Sequence, residues 1–531
     1  MKRDFVWLLA LLFWGTPVAL SEQAAAPNDR HVVVIVWDGM RPDSVTERDT
    51  PTLWKLAREG VTFRQHHSIY PTATNVNGAA IATGVYPNRN SLLANREYRS
   101  QINPRNAFEN GDADIIKKGD DVTGGKYLAS PTIAEIVRGA GRPTAIAGTK
   151  SVAVLHDRHA EWTTATSKDS FIKFAAAPMP ASLRDETVRL LGPFLTESGQ
   201  TSDQRNAYAT RALTEILWRD GLPAFSLLWL SDPDITQHEY APGSELSLAA
   251  VRSSDRHLAV VLEALAKKNA RETTDLLVVS DHGFSTIERS IDFPAELRKA
   301  GFDAVAAFEG TPKAGQIMVV GNGGTILFYV IEHDQKVTSR LIEWLQRSDF
   351  AGVVFARERF EGTFPLDFVR GNTADAPDVM AALRWNPKPN RFGVPGQIIT
   401  DATRGAGKGS HATLSAFDVH NTLIAAGPDF RPGTTSDLPS ANIDIAPTVL
   451  HLLGIKPPLK FDGRILAEAM AGRSANLEPM TKTLEATRQF PSGDWRQHLR
   501  ISLVGETVYI DEGNGQFSSS SSASSPSSSP R

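Results

Sequence analysis

The chain contains no cysteine. No disulfide can hold it together, and any metal centre must be built from carboxylate, imidazole and hydroxyl groups. It also lacks an excess of either charge, with 56 Lys and Arg against 60 Asp and Glu. That balance supplies no field to attract nucleic acid or an anionic membrane, so an anionic substrate has to be caught by a local site. Apolar runs long enough to cross a bilayer are missing beyond the N-terminal segment, and no internal repeat is visible.

The N-terminal segment is MKRDFVWLLALLFWGTPVALSEQ: Lys2 and Arg3 precede an apolar stretch from Phe5 to Trp14, and small residues follow at Ala19 and Ser21. This is the order of a secretory signal peptide, and the stretch is short for a membrane span. Residues 1–21 are therefore expected to be removed, sending the protein to the periplasm or outside the cell with no membrane anchor; an uncleaved anchor is the alternative. At the other end, the run from Ser518 is almost all serine, and residues 517–531 are expected to form a disordered tail without a catalytic role.

Between these ends, strand and helix patterns alternate. His31 to Trp37 reads as a buried strand, and Pro51 to Glu59 as a helix bearing Leu53, Trp54, Leu56 and Ala57. Ser130 and Pro131 read as the N-cap and first residue of a helix ending near Gly139 or Gly141. Asp444 opens another, with Ile445, Val449, Leu450, Leu452 and Leu453 at helical spacing before Gly454. The alternation predicts an α/β fold with a mostly parallel central sheet covered by helices on both faces. Two stretches, 96–126 and 284–405, fit it poorly. Both are expected to be cap insertions over the carboxyl edge of the sheet, within one catalytic domain spanning residues 30–515.

Four segments end in metal-capable groups. HVVVIVW runs into Asp38, SLLWLSDPDITQH into Asp234 and His238, DLLVVS into Asp281 and His282, and the loop GKGSH delivers His411. An Asp after a strand is commonly a turn residue bonded to its own backbone. A set of three Asp and three His at strand ends suits zinc or a similar divalent ion, and strand ends are where open α/β sheets bind ligands. Thr74 precedes an Ala-rich run, Gly78 to Thr83, that can form a helix. Its backbone N–H would then face the positive helix end, where a phosphate can dock; an ordinary N-cap is the other reading.

With these motifs in order, the chain resembles the alkaline phosphatase superfamily, and within it the type I phosphodiesterase/nucleotide pyrophosphatase branch. The resemblance rests on WDGMRPD, PTATNVNGAAIATGVYP, the Asp234 and His238 pair, SDHGFS, GSHATLSAFDVHNTLIAAGPDF, IDIAPTVLHLLGI and FDGRIL, and covers most of residues 31–466. It implies two zinc ions and a threonine nucleophile. One zinc set is then Asp38, Asp281, His282 and the Thr74 oxygen, the other Asp234, His238 and His411. Asn95 falls where the branch has an asparagine that bonds the phosphoryl oxygen, and Asn77 matches the asparagine following the nucleophile.

Those groups imply a two-step displacement on a small-molecule phosphate ester, with a phosphothreonine formed at Thr74 and then hydrolysed. The chain departs from the branch at Asn75 and Val76, where an aromatic residue and proline are usual. Lys150 sits near a lysine that phosphomonoesterase relatives use, but Val152 holds the place of their arginine. Lys150 is expected to be a solvated surface residue, and diesters to be preferred over monoesters. The competing readings are a phosphomonoesterase of the same superfamily and a secreted metal-binding protein without turnover.

Overall fold

His31–Trp37 lies at the centre of the main sheet in the computed structural model, which describes residues 29–157, 171–174, 181–193, 195, 200–472 and 477–519. The expected signal segment and the residues after Ser519 lie outside that description. All but the first residue of the strand are buried, as an unbroken β-branched run requires when both sheet faces are covered. It pairs in parallel with Phe225–Leu230 on one side and Thr274–Val279 on the other, with Trp37 beside Leu230 and Val36 beside Val279. This register brings three strand ends to one edge together.

Thr144–Gly148 extends the parallel centre next to Phe225–Leu230, whereas Leu423–Ala426 joins antiparallel beside Thr274–Val279. The sheet has eight strands, parallel in the middle and mixed at its flanks. Alternate residues of the first strand point into two separate cores. Val32, Val34 and Val36 pack with Ile133, Val137, Ile445 and Val449. Val33, Ile35 and Trp37 pack with Leu53, Leu56, Val251 and Leu258. The predicted helices Pro51–Glu59 and Ile445–Leu452 are both present, one on each face.

Several expectations need correction. The helix near residue 130 is Ile133–Gly139, and its cap is Thr132, whose hydroxyl accepts from the Glu135 N–H while the Glu135 carboxylate accepts from the Thr132 N–H. Ser130 instead donates to the Arg89 carbonyl at 3.0 Å, so the reciprocal cap two residues later decides the start. The stretch 284–405 is more than a set of lid segments. It holds a six-stranded sheet, including Ile317–Gly321, Thr325–Val330, Ala351–Ala356 and Val379–Leu383, backed by the helix Gln335–Gln346 around Phe328, Leu341 and Val354. The expected tail begins too early, because Ser518 and Ser519 are paired with Asp494 and Gly493 in the last strand of an antiparallel sheet. That sheet, Met480–Phe490, Gly493–Val504 and Thr507–Ser519, packs Trp495 and Leu499 against the cores of the six-stranded sheet.

Candidate active site

The turn after the first strand is tight because Asp38 and Asp234 must approach each other. The Asp38 N–H donates to the Leu230 carbonyl at 3.1 Å, and the Asp234 N–H to the Asp38 carbonyl at 2.9 Å. Between them Gly39 adopts φ +72, where a Cβ would sit 2.9 Å from the Asp234 Cβ. The Gly39 N–H donates to Asp281 Oδ1 at 3.0 Å, so the third strand end is fixed to the first. His411 arrives by another route: Ser285–Ile291 pairs antiparallel with Gly409–Ser410, which stacks the His411 ring on His282 at 3.7 Å.

The expected ligands converge. Asp234, His238 and His411 form one group and Asp38, Asp234 and His282 a second, the ligand atoms of each lying within 4.8 Å of one another. Asp281 adjoins the second group, its Oδ2 3.3 Å from His282 Nε2. Asp38, Asp281 and His282 are fully buried. Asp234 is therefore placed between the two groups, whereas the sequence assigned it to one only.

Each imidazole is oriented by a backbone carbonyl at Nδ1: His238 by Gly409 at 3.0 Å, His282 by Gly283 at 2.8 Å and His411 by Thr72 at 2.8 Å. That leaves all three Nε2 atoms turned to the carboxylates, the arrangement metal-ligating histidines use. Burial, and the His282 ring beside it, hold the His411 pKa well below the usual imidazole range, so its Nε2 offers a lone pair. Burial and the charge of Asp281 push the Asp38 carboxyl well above its usual range, against the nearby Lys150 ammonium.

The residues fit divalent cations on two grounds. Asp234 Oδ1 and Asp281 Oδ2 are buried without a hydrogen-bond partner, a costly state unless a cation meets them. His238 Nε2 and His411 Nε2 lie 3.3 and 3.5 Å from that Asp234 oxygen. A tetrahedral ion with bonds of about 2.0 Å sets its donors about 3.3 Å apart.

Thr74 is the first residue of the buried helix Thr74–Thr83, with Ala73 as the N-cap, so Thr74 is not itself the cap. Its Oγ1 lies 3.2 Å from His282 Nε2. The Asn75 N–H donates to Asn95 Oδ1 at 2.7 Å, which commits the oxygen end of that amide and leaves its NH2 end for the cavity. Asn77 braces the segment: its side-chain NH2 donates to the carbonyls of Ile69, Pro71 and Ala73.

Lys150 corrects the sequence reading. Its side chain is 20% exposed, and Nζ donates to Asp38 Oδ1 at 2.9 Å and Asp234 Oδ2 at 2.6 Å. The signal was positional: Lys150 follows Thr144–Gly148, a strand parallel to the one that carries Asp234, so both emerge at the same edge. Sequence reasoning also missed Trp229, whose indole N–H donates to Asp38 Oδ2 at 2.8 Å, and Glu109, whose Oε1 accepts from the Asn75 side chain at 2.6 Å. Thr74, Asn75, Asn95, Glu109, Lys150, Val152, Asp234 and His238 border a polar cavity of about 660 Å³ that also reaches Arg205 and Arg404. Glu109 belongs to the 96–126 stretch, which contributes this residue to the cavity lining.

Solved structures of human and murine ectonucleotide pyrophosphatase/phosphodiesterase 5 share the fold. The human one has a TM-score of 0.58 at 17% identity, covering 83% of this chain and 100% of that one. This places the protein among alkaline-phosphatase-like α/β folds. The family model for type I phosphodiesterase / nucleotide pyrophosphatase matches residues 32–388, and the chain belongs to that family. Among curated relatives, venom phosphodiesterase CdcPDE of Crotalus durissus collilineatus is 25% identical over 262 residues, 48% of this chain and 26% of its own length. Bis(5'-adenosyl)-triphosphatase enpp4 of Mus musculus is 20% identical over 457 residues, 85% of this chain and 83% of its own. The chain spans 26 to 30% of the length of the venom phosphodiesterases it matches.

Proposed function

We propose that the protein is an exported phosphodiesterase of the nucleotide pyrophosphatase type, with two zinc ions and a phosphothreonine intermediate on Thr74. The observation that carries this is the Thr74 hydroxyl, first on a buried helix and 3.2 Å from His282 Nε2, beside a cluster of Asp and His with orphaned carboxylate oxygens. Asp38, Asp281 and His282, with Thr74, would hold one ion, and Asp234, His238 and His411 the other. Two such cations, when bound, supply the charge that lowers the hydroxyl pKa and stabilises the leaving oxygen.

The chain's own groups do the rest. Thr74 Oγ1 forms the new bond to phosphorus as the bond to the leaving alcohol breaks, and water then cleaves the phosphothreonine. The Asn95 NH2 group and the Thr74 N–H would meet the non-bridging oxygens. An inactive threonine-to-alanine variant of murine ectonucleotide pyrophosphatase/phosphodiesterase 5 was solved with AMP, and the relatives' names speak of phosphodiester and adenosyl triphosphate substrates. These support a phosphate diester or pyrophosphate as substrate. The N-terminal segment supports export, and no helix among the described residues is long and apolar enough to cross a membrane.

Monoester hydrolysis is the second reading, favoured by the position of Lys150 in the cavity. The test compares kcat/KM of the zinc-loaded protein for matched aryl monoester and alkyl aryl diester substrates, with metal analysis. Two ions per chain, loss of activity on chelation and a diester advantage are expected. A tenfold monoester advantage, about 1.4 kcal/mol in the barrier, selects the second reading. Near wild-type turnover by Thr74→Ala would remove Thr74 as nucleophile.

A further inference from the structure

A second cavity, of about 450 Å³, lies between the segment His67–Tyr70, the turn Asp367–Arg370 and the C-terminal three-stranded sheet. None of the metal-capable groups of the first site lines it. Its volume falls in the range of small-ligand pockets, about 300–1,000 Å³. The sheet contributes Leu484, Leu499, Ile501, Leu503 and Ile510, and Ile69 closes the opposite wall.

The polar atoms on its inner surface are already bonded within the protein. His67 Nδ1 meets the Ser440 carbonyl at 2.9 Å and Nε2 meets Asp511 Oδ1 at 3.1 Å. Tyr509 Oη donates to Asp444 at 3.0 Å, Tyr70 Oη pairs with Thr325 Oγ1 at 2.8 Å, and Ser68 Oγ donates to the Val419 carbonyl at 3.1 Å. The Tyr86 hydroxyl is bonded to the Val508 carbonyl. Nothing inside calls for a polar partner, and water would find few.

The uncommitted polar groups are at the mouth. Asp367, Arg370 and Lys482 are exposed there beside Phe368, which is 42% exposed. Among the described residues, no ion pair involves the side chain of Arg370 or Lys482. Two cations against one carboxylate leave a single positive charge at the rim of an apolar hole. We propose that this pocket binds a single-chain amphiphile with a monoanionic carboxylate head, of the fatty-acid class: the chain lies against the sheet face and the head meets Arg370 and Lys482.

Calorimetric titration of the metal-loaded full chain with dodecanoate below its micelle concentration tests this, with butyrate and dodecyltrimethylammonium as controls. Saturable binding of one dodecanoate per chain is expected, at least tenfold tighter than either control. The double variant Arg370→Glu with Lys482→Glu, both at exposed positions, should weaken binding at least tenfold, and Ile501→Trp should fill the pocket and abolish it. The proposal falls if a protein with a wild-type melting curve takes up no dodecanoate, if a control binds equally, or if the charge reversals have no effect. Displacement of dodecanoate by inorganic phosphate would assign it to the first site instead. Uptake of phosphatidylglycerol vesicles without free dodecanoate would overturn it too, as would self-association that Ile501→Trp abolishes.

Discussion

Trp229→Phe isolates the support given to one candidate ligand. The indole N–H donates to Asp38 Oδ2 at 2.8 Å, both residues are fully buried, and Oδ1 is the oxygen facing Lys150 and His282. Phenylalanine keeps most of the apolar body and deletes the donor. A hydrogen bond to a charged group is worth about 1.5–3 kcal/mol, and no water can replace it at a dry site. If that energy is felt by the metal-bound state, zinc retention weakens about 10- to 150-fold, close to the 10–100-fold seen when such outer partners of ligands are lost. The smaller ring should cost about 1–2 kcal/mol of stability, a fraction of a full truncation. Competition for zinc against a chromophoric chelator measures the first effect, and thermal melting the second. Saturating zinc should restore most of the diesterase rate. A variant that melts lower as expected yet holds zinc within twofold of wild type would refute the reasoning, because the indole would then be packing and nothing more.

Asn95→Ala removes one donor to the phosphoryl oxygens and should lower kcat about 10²-fold while leaving measurable turnover; loss below twofold would mean that the amide does not meet the transition state. Lys150→Met should shift the ratio of diester to monoester kcat/KM by about tenfold toward the diester, since a dianion loses more when a cation is deleted; an unchanged ratio would detach Lys150 from substrate charge. Asp275, at the opposite end of the sheet, has its pKa raised to about 8 by burial and the neighbouring Asp429. The folded state keeps a proton that the unfolded chain releases above about pH 4, so this group lowers stability as pH climbs from about 4 to about 8. Asp275→Asn should therefore stabilise, by a margin that grows about 4 kcal/mol between pH 5 and pH 8; equal shifts in melting temperature at both pH values would contradict it.

What could be read from the sequence follows from what each segment says locally. HVVVIVW and DLLVVS are apolar on both faces, a pattern that only a doubly covered strand satisfies, so their positions and the acidic residues after them were legible. Pairing is not local, so the exact sharing of Asp234 between two ligand groups was not. The loop GKGSH marked His411 as a candidate, but its grouping with Asp234 and His238 came only through the resemblance, because that loop is tied by a two-residue pairing to the strand after His282. The six-stranded sheet escaped notice because its strands are short and its connections are rich in Gly and Pro. Thr144–Gly148 reads TAIAG, too small and short to declare a central strand, and with it went the correct position of Lys150.

That position changes the argument about substrate more than any other observation. The sequence argument against monoesters was the absence of an arginine at Val152 and a lysine assumed to be in solvent. Val152 does line the cavity, and Lys150 faces it as well. One ammonium must, however, answer to three buried carboxylates, and Asp38 and Asp234 already hold it at 2.9 and 2.6 Å. Lys150 would have to yield these carboxylates to a bound cation before its ammonium could answer substrate charge. Asn75 works in the opposite direction. Its side chain is tied to Glu109, which sets a carboxyl group on the cavity wall beside the position where the branch usually has an aromatic residue. Burial raises the Glu109 pKa to about 7, so near neutral pH this wall of amide and carboxyl groups offers acceptors to a polar substituent and opposes a second phosphoryl charge only as Glu109 ionises. Lys150 lies near enough to Glu109 to hold that rise down, so cation and carboxyl share one polar cavity, and a diester carrying one charge and one polar substituent would meet both, which is the ground for the proposed preference.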